Sequence, residues 1–180
     1  IPFLYAELLS QHKDYTDALP HYEYAAYNGD IIVNKDAAYA AVLTTTKLHQ
    51  VTSDAALRKD YLQKLVHYSH LYVQLYPGDT RSIAVMTRAA EEAYREGMYQ
   101  QAIELTELYS DTPYTEATYN LHSLKAHSYF KLARYRDAET GYQAILQRYK
   151  PDAKTRTQIS DNLAVSIYNQ ATAAKAKSDT

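Results

Sequence analysis

The 180-residue chain has no cysteine, no tryptophan, four glycines and five prolines. Without cysteine there are no disulfides, no thiol catalysis and no thiolate-bound zinc or iron–sulfur centre. So little glycine and proline leaves too few turn residues for an all-β fold, and the composition is unlike that of a disordered chain. No run approaches the ~20 apolar residues of a membrane-spanning helix. Net charge is also small: 19 Lys and Arg stand against 21 Asp and Glu, a formal -2. Such a balance gives no general attraction to nucleic acid or lipid. Gly29, Gly78, Gly97 and Gly141 stand alone, so neither G-x-G-x-x-G nor a phosphate-cradling P-loop can form. A G-x-S-x-G nucleophile motif is missing as well.

Apolar residues make up 46% of the chain, enough for a core, and the aromatic set is 20 Tyr and two Phe. Three strings share Tyr-x-x-Ala: Tyr15 to Ala18, Tyr99 to Ala102 and Tyr135 to Ala138. Twelve residues before each of these alanines stands another, at Ala6, Ala90 and Ala126; Ala40 and Ala164 extend the frame. A large residue follows three places later at Leu9, Leu43, Tyr129 and Ile167. Small residues where two helix axes approach, with large ones a turn away, are what antiparallel helix packing requires. A helical pair of this size cannot bury its apolar face alone, so such pairs stack.

The spacing predicts helices near 2–12, 15–28, 35–50, 54–76, 80–96, 99–110, 114–132, 135–149 and 153–176. Asp14, Asp79 and Asp152 are expected N-caps, with Ser53-Asp54 capping the fourth helix, and Pro77, Pro113 and Pro151 are expected to close second helices. The 50-residue step from Ala40 to Ala90 implies an elongated second pair. The last helix is expected to pack on the fourth pair through Ile159, Leu163, Ala164, Val165 and Ile167. The start at Ile1, without a signal-peptide pattern, reads as a fragment of a longer chain.

This combination resembles the tetratricopeptide (TPR) repeat family: a small residue in the first helix, Tyr-x-x-Ala opening the second, an aromatic four later (Tyr22, Tyr142) and Pro at the exit. The resemblance is strong over 85–151, good over 1–43 and weak over 45–80, and the signature Trp and its neighbouring Gly are absent. It implies an all-α, right-handed superhelical stack of antiparallel hairpins of about nine helices in one domain. The repeats would be about 1–32, 33–78 (elongated), 79–113 and 114–151, with a terminal helix at 153–176. More loosely, Tyr22 to Tyr27, Ala37 to Leu43 and Asn162 to Tyr168 are similar to the middle of long TPR-bearing envelope proteins of Gram-negative bacteria. That similarity implies a periplasmic or outer-membrane-associated setting.

TPR proteins act mostly as protein-binding scaffolds, so the resemblance implies a non-catalytic module that holds a peptide or partner helix on the concave surface lined by first helices. Projected from the alanines, that surface runs through Glu91, Tyr94, Arg95, His127, Phe130, Lys131, Tyr168 and Asn169. Tyr94, Phe130 and Tyr168 stand at one equivalent step and are expected to form a row beside Arg95, Lys131 and Asn169. Such a surface suits an acidic, aromatic-containing peptide. Asn120 and Lys131 do not match the Lys and Asn arrangement that grips a C-terminal carboxylate. Two other readings are an architectural spacer in a longer array and a glycan-binding envelope module that stacks sugars on tyrosine.

Chemistry elsewhere is thin. His67 and His70 lie one turn apart with no third ligand nearby, so no metal or cofactor is expected. Glu91 and Glu92 diverge on a helix, and Glu104 with Glu107 reads as a solvated face, so no catalytic residue is expected. Residues 1–120 carry nine basic and 16 acidic side chains, and residues 121–180 carry ten and five. Solvated helix faces account for that asymmetry without a nucleic-acid partner.

Overall fold

The computed structural model describes residues 2–28, 34–76, 78–109 and 111–178, with side chains as far as residue 176. Among them nine α-helices and no strand are found: α1 Pro2–Gln11, α2 Tyr15–Tyr27, α3 Lys35–Val51, α4 Ala55–Leu75, α5 Ser82–Arg95, α6 Tyr99–Glu107, α7 Tyr119–Lys131, α8 Tyr135–Arg148 and α9 Ala153–Ser178. They form two compact units, residues 1–92 and 93–180. In the first, α1 packs on α2, α2 on α3 and α3 on α4; in the second, α6 packs on α7, α7 on α8 and α8 on α9. No described helix is long and apolar enough to cross a membrane.

The turns after α1, α5 and α7 are copies of one another. Each places a left-handed residue seven positions after its alanine: Lys13 (φ 65°), Gly97 (φ 75°) and Ala133 (φ 55°). In each, the next amide donates to the carbonyl three positions after the alanine: Asp14 to Leu9, Met98 to Ala93 and Arg134 to Tyr129, all at 2.9 Å. The helix end thereby satisfies its own carbonyls. Asp14 was expected to cap α2, yet its side chain makes no cap bond; like Met98 and Arg134 at the equivalent place, it is held by the turn. Only glycine adopts this conformation without penalty. Ala133→Gly is therefore expected to raise stability by about 0.5–1 kcal/mol, read as a higher urea midpoint, while Gly97→Ala loses a similar amount. A midpoint that falls for Ala133→Gly would contradict this account of the turn.

The alanine pairs do the packing work assigned to them: Ala6, Ala18, Ala90, Ala102, Ala126 and Ala138 are all buried. Two extensions of the frame fail. In α3 the fully buried alanines are Ala37, Ala38 and Ala41, whereas Ala40 is only half-buried and Leu43 turns outward. In α9, Ile159 and Ser166 are buried and Leu163 packs against the α7–α8 core. Ala164, Val165 and Ile167 lie on the outer side of that helix. The stripe that holds α9 is therefore 159, 163, 166 and 170, where Gln170 donates to Glu139 at 2.7 Å.

Helix ends follow local hydrogen bonding. Asn34 caps α3, Asp54 caps α4, Asp79 accepts from the Arg81 amide, and Asp152 accepts from the Thr155 amide. Pro113 does not end α6, which stops at Glu107, and α7 starts at Tyr119 rather than 114. Between them Thr118 Oγ1 takes the Thr115 amide and donates to the Pro113 carbonyl, fixing one turn of 3-10 helix at Glu116–Thr118. Pro77 lies outside the described residues.

Two polar knots brace the first unit. Asp79 pairs with Lys35 at 2.7 Å, accepts the Tyr72 hydroxyl at 2.9 Å and meets Arg81, whose guanidinium lies 4.7 Å above the Tyr39 ring. Lys35 first, then the Arg81 amide, holds the Asp79 carboxyl well below the usual carboxylate range. Deeper in, Glu92 is buried with His49; its Oε2 lies 3.1 Å from His49 Nδ1 and its Oε1 accepts from Gln50 Nε2 at 2.6 Å.

Candidate functional site

The projected first-helix residues divide into those that lean inward and those that face solvent. Glu91, in the first unit, is half-buried. In the second unit, Tyr94 is half-buried with its ring 5.2 Å from Tyr99, and burial raises its hydroxyl pKa. Phe130 sits against Tyr135 (5.8 Å) and Tyr142 (6.2 Å) and belongs to the fringe of the α7–α8 core. His127 meets the Tyr142 hydroxyl at 2.9 Å, and burial together with Lys131 lowers its pKa. Arg95 and Lys131 are exposed, Tyr168 is 70% exposed, and Asn169 folds back to donate to the Val165 carbonyl. The three rings of the expected row do not stack on one another. What joins the inward members is Tyr142, a fully buried side chain with Phe130 and His127 on its ring.

The same hydroxyl arrangement recurs in the first unit, where Tyr22 donates to Glu7 at 2.7 Å. Tyr22 and Tyr142 each stand four residues after the second-helix alanine, and Glu7 and His127 one residue after the first-helix alanine. Burial and Glu7 push the Tyr22 hydroxyl up to about 12. So the position after the first alanine, assigned to the binding surface, is in these two hairpins a partner for a core tyrosine.

A second site, not anticipated from the sequence, lies between α7 and α8. It is a hollow of about 280 Å³, lined by Tyr114, His122, Lys125, Ala126, Tyr129, Asp137, Thr140, Gly141 and Ala144. Its origin is a close approach: a Cβ added at Gly141 would sit 2.8 Å from the Ala126 Cβ. Helices that meet by backbone leave no side chain to fill the flank.

The walls are aromatic and backed by cations. Tyr114 rests 4.4 Å from the His122 ring and 5.3 Å from Tyr149, with the Arg148 guanidinium 5.0 Å above it. Tyr129 carries the Arg134 guanidinium at 4.5 Å and Lys125 at 5.9 Å. Both distances fall within cation–π range. His122, 8% exposed, shares a hydrogen bond between its Nδ1 and the Tyr149 hydroxyl, which also meets Thr118 at 2.9 Å. The Tyr109 backbone also bonds the His122 ring. Burial first, then Lys125, lowers the His122 pKa.

Asp137, beside the hollow, is engaged by Arg134 at 2.9 Å. No three His, Asp or Glu side chains converge among the described residues. No protein-family model matches the chain, and no curated protein matches it in sequence.

Proposed function

We propose that the chain is a TPR-like repeat scaffold, a right-handed superhelical stack of helix hairpins that binds a peptide or partner helix on its first-helix surface. The observation that carries this reading is the triple recurrence of one turn, with its left-handed residue at Lys13, Gly97 and Ala133 and its paired buried alanines. Repeated hairpins of one geometry suit an extended binding surface better than an enclosed active site. Arg95, Lys131 and Tyr168 are the exposed members of that surface, and Tyr and Arg are the side chains enriched where binding energy concentrates.

A second reading is favoured by α9, whose Ala164, Val165 and Ile167 are exposed: a further helix covers this face and the chain serves as a spacer in a longer array. One experiment separates the two. The chain is cross-linked to partners in an extract beside the variant Arg95→Glu/Lys131→Glu/Tyr168→Ala, whose altered residues are exposed and should leave the melting curve unchanged. The scaffold reading expects the variant to lose the partner. Capture at the wild-type level, or no partner at all, refutes the first-helix surface and leaves the spacer.

A further inference from the structure

We propose that the hollow between Tyr114 and Tyr129 is an anchor pocket for one aromatic side chain flanked by carboxylates in a bound peptide, an inference that rests on the scaffold reading. Its size sets the class of occupant. At about 280 Å³ it lies just below the range of pockets for drug-sized molecules and has room for roughly nine waters. That volume suits one bulky side chain better than a whole cofactor.

The lining sets the chemistry. Ala126, Gly141 and Ala144 make a small-residue floor, while the tyrosine walls offer ring faces. A third ring between them gains offset or edge contacts at separations of about 4.5–7 Å. His122 adds a buried polar ring to the lining.

Charge selects the flanking residues. Of the nearby carboxylates, Asp137 is engaged by Arg134, Glu107 accepts the Tyr129 hydroxyl at 3.2 Å and Asp152 accepts the Thr155 amide and hydroxyl, while Asp111 and Glu116 border the adjoining hollows on the far side of Tyr114. Arg148 lies on the Tyr114 ring and has no carboxylate partner among the described residues. Lys125 lines the hollow on the other side. An aromatic residue seated on the floor would carry acidic neighbours toward Arg148 and Lys125, and charge-assisted contacts of that kind are the stronger ones.

The test titrates the whole chain with acetyl-Glu-Phe-Glu-amide, with acetyl-Lys-Phe-Lys-amide as the charge control, and follows heat and tyrosine ring resonances. Saturable binding of the acidic peptide, at least tenfold tighter than the basic one and with Tyr114 and Tyr129 signals shifting, is expected. Ala144→Leu, which fills the hollow, should weaken it tenfold or more; if that variant melts early, Tyr114→Ala on the exposed loop gives the same readout. Equal affinity for both peptides, or undiminished binding by the filled variant, overturns the proposal. Binding of free 3-phenylpropionate as tight as that of the peptide would overturn its peptide part and make a small aromatic acid the occupant. The first-helix triple variant should bind the tripeptide normally. If the tripeptide fails while that variant still loses its protein partner, the pocket falls and the scaffold stands.

Discussion

Replacing Glu92 by alanine is expected to cost about 1–3 kcal/mol of stability for each buried group that loses it as a hydrogen-bond partner. The carboxylate is buried and engages two groups at once, His49 on one oxygen and Gln50 on the other. Its removal takes away the acceptor from both and leaves a void between α3 and α5. Glu92→Gln keeps the volume and one acceptor, so it should lose less than the alanine variant. Urea unfolding followed by circular dichroism measures both. The neighbouring Glu91→Ala, at a half-buried position, is the control and should change stability by under about 0.5 kcal/mol. If Glu92→Ala and Glu91→Ala behave alike, the buried pair contributes nothing.

A loss of similar size, about 3–5 kcal/mol, is expected for Tyr142→Ala. The ring is fully buried in the cluster of Ala126, Ala138, Ile145 and Ile159, and it supports Phe130 and His127 from beneath. Tyr142→Phe removes only the hydroxyl and should cost about 1 kcal/mol, one buried hydrogen bond. The same substitution should also move the His127 ring resonances, because its Nδ1 loses that hydroxyl. Burial is the largest cause that raises the Tyr142 hydroxyl pKa above its ordinary value. Alkaline titration should therefore find this tyrosine ionising above the ordinary tyrosine value. A Tyr142→Ala variant of wild-type stability would mean that the α7–α8 core is held by other contacts.

The helices were legible because their signal is local and repeated. Tyr-x-x-Ala and the alanine twelve residues earlier mark three hairpins whose turns then prove to be the same. Where a side-chain bond decided the boundary, the pattern ran out: the start of α7 depends on Thr118 reaching Thr115 and Pro113. The register of α3 was missed by one place, because a helix with alanine at 37, 38, 40 and 41 has no unique small face. Glu92 was read with its neighbour as a carboxylate on a helix, and nothing in its surroundings announces that His49, 43 residues away, is its partner.

The binding residues were legible only in part. Helical phase placed Tyr94, Phe130 and Tyr168 at one step, but phase does not say which ring a neighbouring helix covers. Tyr142 draws Phe130 inward, while Tyr168 on α9 keeps its exposure. The hollow beside Tyr114 was not legible. It arises from the opposition of Gly141 and Ala126 across two helices, and a single glycine in a helical stretch carries no sign of what it faces.

That opposition has a consequence for how this part of the molecule tolerates change. A hollow created by losing a side chain can close when the helices settle toward each other. Here the helices are already at their limit of approach, with no Cβ at Gly141 to yield. Inward relaxation is blocked by the contact that opens the space, so compression should leave the hollow open. Side chains added along its rim can plug it, whereas a larger residue at position 141 must push α7 and α8 apart. The close approach at Gly141 thus acts as a spacer for the hollow beside it.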